Sequence, residues 1–198
     1  MTKAVSAAES VLLATTVAGC SLFEQEEPEP VETEIPGTPS EQADLVCGID
    51  RADVETAIGL PVGRVEGELT GQGADAAGTC EIWPEDDGVV KGAMLFVRIH
   101  GLSTDEGKRR AAELRGEVDG VVEPDVRYEG VEGGVWFPDL GFEEGTPTSV
   151  GGTSVVVLPD HVVALTSAHS DRDRDAATDL LALSQQVAAS HGLSAAEE

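Results

Sequence analysis

The side chains of this sequence that could do chemistry are three cysteines, four histidines and one aspartate-rich run, and their spacing decides what that chemistry would be. Asp171, Asp173 and Asp175 alternate with Arg172 and Arg174, like the first half of a calcium-binding loop. An EF-hand loop needs glycine at its sixth position and glutamate at its twelfth, and those places hold Ala176 and Ala182. The run reads instead as a helix start: Ser170 with Asp173 caps it, its acids suit the positive end of the helix dipole, and the interleaved arginines relieve repulsion. His100, His161, His169 and His191 show no HExxH or other ligand spacing. A hairpin bringing His161 and His169 together would open metal or acid–base work to them; solvated histidines at element ends need no such role. Thr153 and Ser154 follow Gly151 and Gly152 but lack the second glycine of a nucleophile elbow. Gly130, Gly133 and Gly134 precede no helix that would make them a phosphate loop, and they suit bends between strands. No nucleophile, base and metal set emerges, so the expectation is a non-enzyme with no catalytic residues, no metal ligands and no cofactor.

The cysteines carry more information. Lys3 is followed by an apolar run over 11–18 and then by Val17-Ala18-Gly19-Cys20. This resembles the lipobox that ends the signal peptide of bacterial lipoproteins. The resemblance implies cleavage after residue 19, lipidation of Cys20 and usually a further acyl chain on the new amino terminus. Two or more chains, at roughly 0.8 kcal/mol per buried methylene, hold a protein stably on a membrane. The apolar run is far too short to span one, which takes about 20 residues. With Cys20 assigned to lipid, Cys47 and Cys80 remain as an even pair, and in an exported protein they are expected to be oxidised to a structural disulfide. A metal site or a catalytic thiol would need a CxxC spacing or an adjacent histidine, and neither is present.

Residues 21–44 contain eight acids and no basic residue, with prolines at 28, 30, 36 and 39. Low hydrophobicity, like-charge repulsion and stiff X-Pro bonds favour a disordered, extended tether, with a reach between about 30 Å as a coil and about 80 Å when stretched. The whole chain of 198 residues carries a formal charge of -26. Such a charge repels nucleic acid and the anionic face of a bilayer, which excludes both as direct partners. The predicted organisation is a signal peptide at 1–19, the lipidated cysteine and tether at 20–44, one domain at 45–193 and a disordered tail at 194–198.

Within the domain, Asp50 followed by Asp53, with Gly59 beyond, predicts a short helix over 51–58. Residues 79–83 alternate as a strand, with Cys80 and Ile82 on its inner face. An acid-rich turn over 85–88 follows. Residues 91–100 form the strongest strand: Ala93, Leu95, Val97 and Ile99 lie on one face, Met94 and Phe96 on the other, which places it centrally. The capping box at 103–106 starts a second helix that ends at Gly116 and has only a thin apolar face. Strands are predicted over 126–131 and 134–137, then a hairpin of 153–158 and 161–166 around Pro159-Asp160. An amphipathic helix over about 171–190 closes the domain, stopped by Gly192. This is an α+β domain, an antiparallel sheet of about six strands packed with about three helices, whose element order suggests a duplicated αβββ unit.

From the lipobox through Leu45-Val46-Cys47-Gly48-Ile49, the helix ending in Ile58-Gly59, Gly78-Thr79-Cys80-Glu81-Ile82 and the final helix, the chain resembles actinobacterial cell-envelope lipoproteins with a cysteine-paired α+β domain of unknown function. The resemblance implies an anchored, extracytoplasmic domain and brings no catalytic residues. Aromatic residues make up 4% of the chain, so Trp83, Tyr128, Trp136 and Phe137 mark either core or a candidate binding surface. Trp83 in particular either covers the second face of the sheet under a helix or stands exposed for a ligand. The expected function is a noncatalytic binding or interaction module held at the membrane by its lipid, with an envelope protein as partner. The alternatives are a carrier of a small apolar ligand or lipid, which requires a cavity, and, with least support, an envelope hydrolase.

Overall fold

The computed structural model describes residues 34–85, 92–138, 151–171 and 173–193. Cys20, the residues 1–19 expected to be a signal peptide, the first part of the expected tether, most of the expected 85–88 turn and the expected 194–198 tail lie outside the described residues.

Two short strands, β1 (Leu45–Val46) and β2 (Ile49–Asp50), form a hairpin whose turn residues Cys47 and Gly48 both have positive φ, 52° and 77°. Helix α1 (Arg51–Ile58) follows within the predicted limits. The Asp50 carboxylate accepts from the Ala52 N–H, and Gly59 closes the helix in the left-handed conformation, donating to the Glu55 carbonyl. Then come β3 (Val62–Thr70), a 3-10 turn (Gly73–Asp75), β4 (Ala77–Pro84) and β5 (Leu95–Gly101). Helix α2 (Asp105–Arg115) is capped by the Thr104 hydroxyl at one end and by left-handed Gly116 at the other. The chain continues through β6 (Val126–Arg127), β7 (Gly133–Trp136), β8 (Thr153–Val157), β9 (His161–Ser167) and α3 (Ala176–Ser190).

Strands β3 to β9 make one antiparallel sheet in the order β3-β4-β5-β9-β8-β7-β6, one strand more than the expected six or so. Two meanders, of three and of four strands, stand back to back across the β5–β9 pair, one strand more than a duplicated αβββ unit would give. The helices break that symmetry. Leu180, Leu183 and Val187 of α3, with Val54 and Ile58 of α1, pack on the face built by Ile82, Leu95, Val97, Ile99, Val163 and Leu165. Ala111 and Leu114 of α2 cover Val155, Val157, Val162 and Ala164 on the opposite face. β8 and β9 are buried at every position but Thr153 and Thr166, with apolar residues on both of their faces, and this is what cover on both sides produces.

The Cys47–Cys80 disulfide, across 33 positions of sequence, ties the β1–β2 hairpin to the buried face of β4. Gln186, fully buried on α3, receives the Asp50 N–H at its Oε1 and donates from Nε2 to the Pro36 carbonyl and the Asp53 carboxylate. Burial raises the Asp53 pKa, and the hydrogen bond from Gln186 works against that rise. Ile35 is buried in the main core. The end of the segment expected to be a solvated tether therefore lies against the domain, because one isoleucine and one carbonyl in it find buried partners.

Several local expectations give way: the strand expected over 91–100 begins at Leu95, and the one expected over 126–131 stops at Arg127. The helix predicted from 171 starts at Ala176, and Asp175 rather than Ser170 is its cap, accepting from the N–H groups of Ala177 and Thr178. Asp171 instead accepts from the Asp173 N–H in the preceding turn. Arg174 forms a buried bidentate pair with Asp179. Strand β3 was not expected at all.

Candidate functional site

Alternation along β4 sends Cys80 and Ile82 into the core and leaves Thr79, Glu81 and Trp83 on the face away from α1 and α3. Strand register then assembles neighbours for them. β3 sets Arg64 beside Trp83, Glu66 beside Glu81 and Glu68 beside Thr79. β5 sets Phe96 opposite Glu81 and Arg98 opposite Thr79. One row therefore runs Glu66, Glu81, Phe96, Thr166, Thr153, Trp136 across six strands. Helix α2 lies over β5, β8 and β9. The β3–β4 corner of the same face stays open, with Arg64, Glu66 and Glu68 exposed and Trp83, Glu81 and Phe96 half-buried.

The chemistry of that corner is aromatic and ionic together. The Arg64 guanidinium stands 4.0 Å from the centre of the Trp83 ring and its Nε lies 2.8 Å from a Glu66 carboxylate oxygen. Arg98 stands 5.5 Å from the centre of the Phe96 ring. Glu66 and Glu81 face each other directly, a like-charge pair that disfavours strand pairing. Arg64 relieves it. The Trp83 Nε1 is buried and has no hydrogen-bond acceptor among the described residues. Trp83 is thus capped by an arginine rather than by a helix, a third arrangement beside the two that its position in the sequence suggested.

The four aromatic residues read from the sequence as one candidate surface do not form one. Trp83 and Trp136 share a face but stand four strand spacings apart, about 19 Å. Trp136 packs at the edge of the α2 cluster and its Nε1 donates to the Val122 carbonyl at 2.8 Å. Tyr128 and Phe137 pack against the main core on the other face. The Tyr128 hydroxyl donates to Ser154 Oγ at 2.9 Å, and burial pushes its pKa up to about 12. Ser154 lies 3.2 Å from Ser184 Oγ, which donates to the Leu180 carbonyl. This hydroxyl chain is closed inside the core: both serines are fully buried.

The histidines are dispersed. His161 opens β9 and His169 lies beyond its end, so a whole strand, about 20 Å, separates them and the hairpin that would join them does not exist. His169 Nδ1 lies 3.0 Å from the Ile58 carbonyl and His191 Nδ1 3.1 Å from the Gly71 carbonyl, contacts that tie loops to α1 and α3. His100 sits under α2, where burial lowers its pKa, and its Nε2 has no partner among the described residues. Among the described residues no group of three or more histidines, cysteines or acids is placed to hold a metal ion.

Sequence reasoning missed Arg64, Glu66, Glu68, Phe96 and Arg98 as site residues. A signal existed in β3, where Arg64, Glu66 and Glu68 alternate with Val65, Gly67 and Leu69. Gly63 and Gly67 masked it. Comparison with protein-family models, with curated proteins and with solved structures found no match.

Proposed function

We propose that this chain is a lipid-anchored, extracytoplasmic module of a bacterial cell envelope that acts by binding a partner and not by catalysis. The observation that carries the reading is the open β3–β4 corner, where a capped indole, a phenyl ring and three exposed charged side chains lie together with none of the described helices over them. Contacts of this kind recognise a partner. The polar groups of the interior support the same reading, since Gln186, Ser154, Ser184 and Asp179 are each engaged in bonds that hold elements together. The lipobox-like residues 17–20 supply the anchor in this reading, and Cys47 paired with Cys80 fits an oxidising compartment.

Expression in a bacterial host with labelled palmitate tests the anchor. The intact chain should take up label and sediment with membranes, and Cys20→Ala should do neither; equal labelling of the two would refute lipidation at Cys20. Crosslinking in intact cells followed by mass spectrometry tests the binding role. A recurrent envelope partner is expected, whereas turnover of an ester, peptide or glycan by the purified chain, abolished by one substitution, would make it an enzyme.

A further inference from the structure

Strand β3 is nine residues long and among the described residues has a strand neighbour on one side only, so its outward N–H and C=O groups form an open template. Its register with β4 shifts once, between Val62 and Arg64, and then runs unbroken to Thr70. Positions 63–68 are all exposed, including Val65 at 40%. The strand contains no proline.

We propose that this edge takes up an extended basic peptide segment of a partner protein as an additional strand of the sheet. The inference rests on the binding-module reading and names the partner's chemistry. Backbone hydrogen bonds would supply attachment, and side-chain charge would supply selection. Glu66 and Glu68 stand on one face of β3, with Glu81 directly behind Glu66. A second copy of this chain laid along β3 would bring the same carboxylates together, on a molecule already at -26, so self-pairing is opposed. A strand with lysine or arginine at alternate positions sets its cations beside Glu66 and Glu68, and places small or apolar residues beside Val65 and Leu69 on the other face. The corner already shows that it accepts a cation: the Arg64 guanidinium occupies the Trp83 ring and the Glu66 carboxylate together. A guanidinium or ammonium of the partner would compete for that place while Arg64 swings outward into solvent.

The test uses the full, oxidised chain and two synthetic peptides of nine residues, matching β3 in length. One alternates lysine with threonine and valine; the other has the same sequence with alternate backbone nitrogens methylated, which keeps the charge and removes the donors. Fluorescence anisotropy should show the unmethylated peptide binding at least about tenfold more tightly. The double variant Glu66→Lys/Glu68→Lys, checked by circular dichroism for an unchanged fold, should lose at least about tenfold of that affinity. Amide chemical-shift changes in the native chain should centre on Val62–Thr70. Equal affinity for the two peptides would mean plain attraction of a polycation to an acidic chain and would overturn the proposal. So would the absence of binding, or shifts centred elsewhere. If the peptides fail while crosslinking in cells still captures a partner, the edge is wrong and the binding-module reading survives; if the cellular capture also fails, both fall.

Discussion

Single side chains in this domain do their work as connectors between elements, and Asp175 has the most legible thermodynamic signature. Its carboxylate receives the Thr178 hydroxyl and the N–H groups of Ala177 and Thr178 at the start of α3. Those bonds, the Thr178 hydroxyl foremost, hold its pKa below the ordinary carboxylate range against the opposing effect of burial. A carboxyl whose folded pKa is depressed stabilises the fold fully above its unfolded pKa, and that contribution is lost as pH falls through the folded value. Asp175→Ala should therefore cost about 1 kcal/mol near neutral pH, the ordinary worth of an N-cap. In urea titrations at a series of pH values the gap between variant and native chain should close below the carboxylate range. A gap that stays constant down to the lowest pH would mean that the side chain acts by packing and not by its charge.

At the scale of elements, the disulfide and the sheet answer different questions. Cys47 and Cys80 close a loop of 33 positions, which on the chain-entropy account stabilises the fold by about 3 to 4 kcal/mol. The native chain should show no thiol free to alkylation from this pair before reduction. Either Cys47→Ala or Cys80→Ala should lower the melting temperature measured by calorimetry, and an unchanged melt would show that the hairpin is held by Gln186 and Ser190 alone. Much of the element plan was legible in the sequence. Helix α1 with its Asp50 and Gly59 caps, helix α2 with Thr104 and Gly116, and the β8–β9 hairpin over Pro159-Asp160 announce themselves through local chemistry, which does not depend on the rest of the fold. What stayed hidden depends on distant residues. Strand β3 has glycine at two of nine positions and one buried residue, so its own alternation is weak and its pairing with β4 is what makes it a strand. The candidate site suffers the same way. Trp83 could be singled out from rarity alone, but its partners Arg64 and Glu66 stand nearly twenty positions earlier and meet it only through register. Conversely, Tyr128 and Phe137, open between core and binding surface in the sequence, pack against the core, since which face receives a side chain beside a short strand is decided by that strand's neighbours.

The whole molecule is dominated by its charge, 38 acidic residues against 12 basic ones. Exposed ion pairs such as Arg115 with Glu132 or Arg64 with Glu66 contribute little each, typically between 0 and about 1 kcal/mol, and salt weakens them. Repulsion among the remaining carboxylates opposes folding throughout and is weakened as well, the Debye length falling from about 8 Å at physiological salt to about 3 Å at 1 M. With so large an excess of one sign, relief of repulsion should win. The melting temperature should rise on adding sodium chloride, by about 2 to 4 °C for each kcal/mol of repulsion removed. A fall would show that the arginine–glutamate pairs on α2 outweigh the net charge. The covalent plan of the molecule also fixes how it carries a mechanical load. A pull arriving from the amino-terminal side passes from Cys47 straight through the sulfur bridge to Cys80, and so into β4 in the body of the sheet. Helix α1 and strand β3 lie on the by-passed loop and hang slack in the line of force. The open edge of β3 thus keeps its shape while the chain is under tension, and only reduction would put it in series with the load, paying out about 110 Å of extra length.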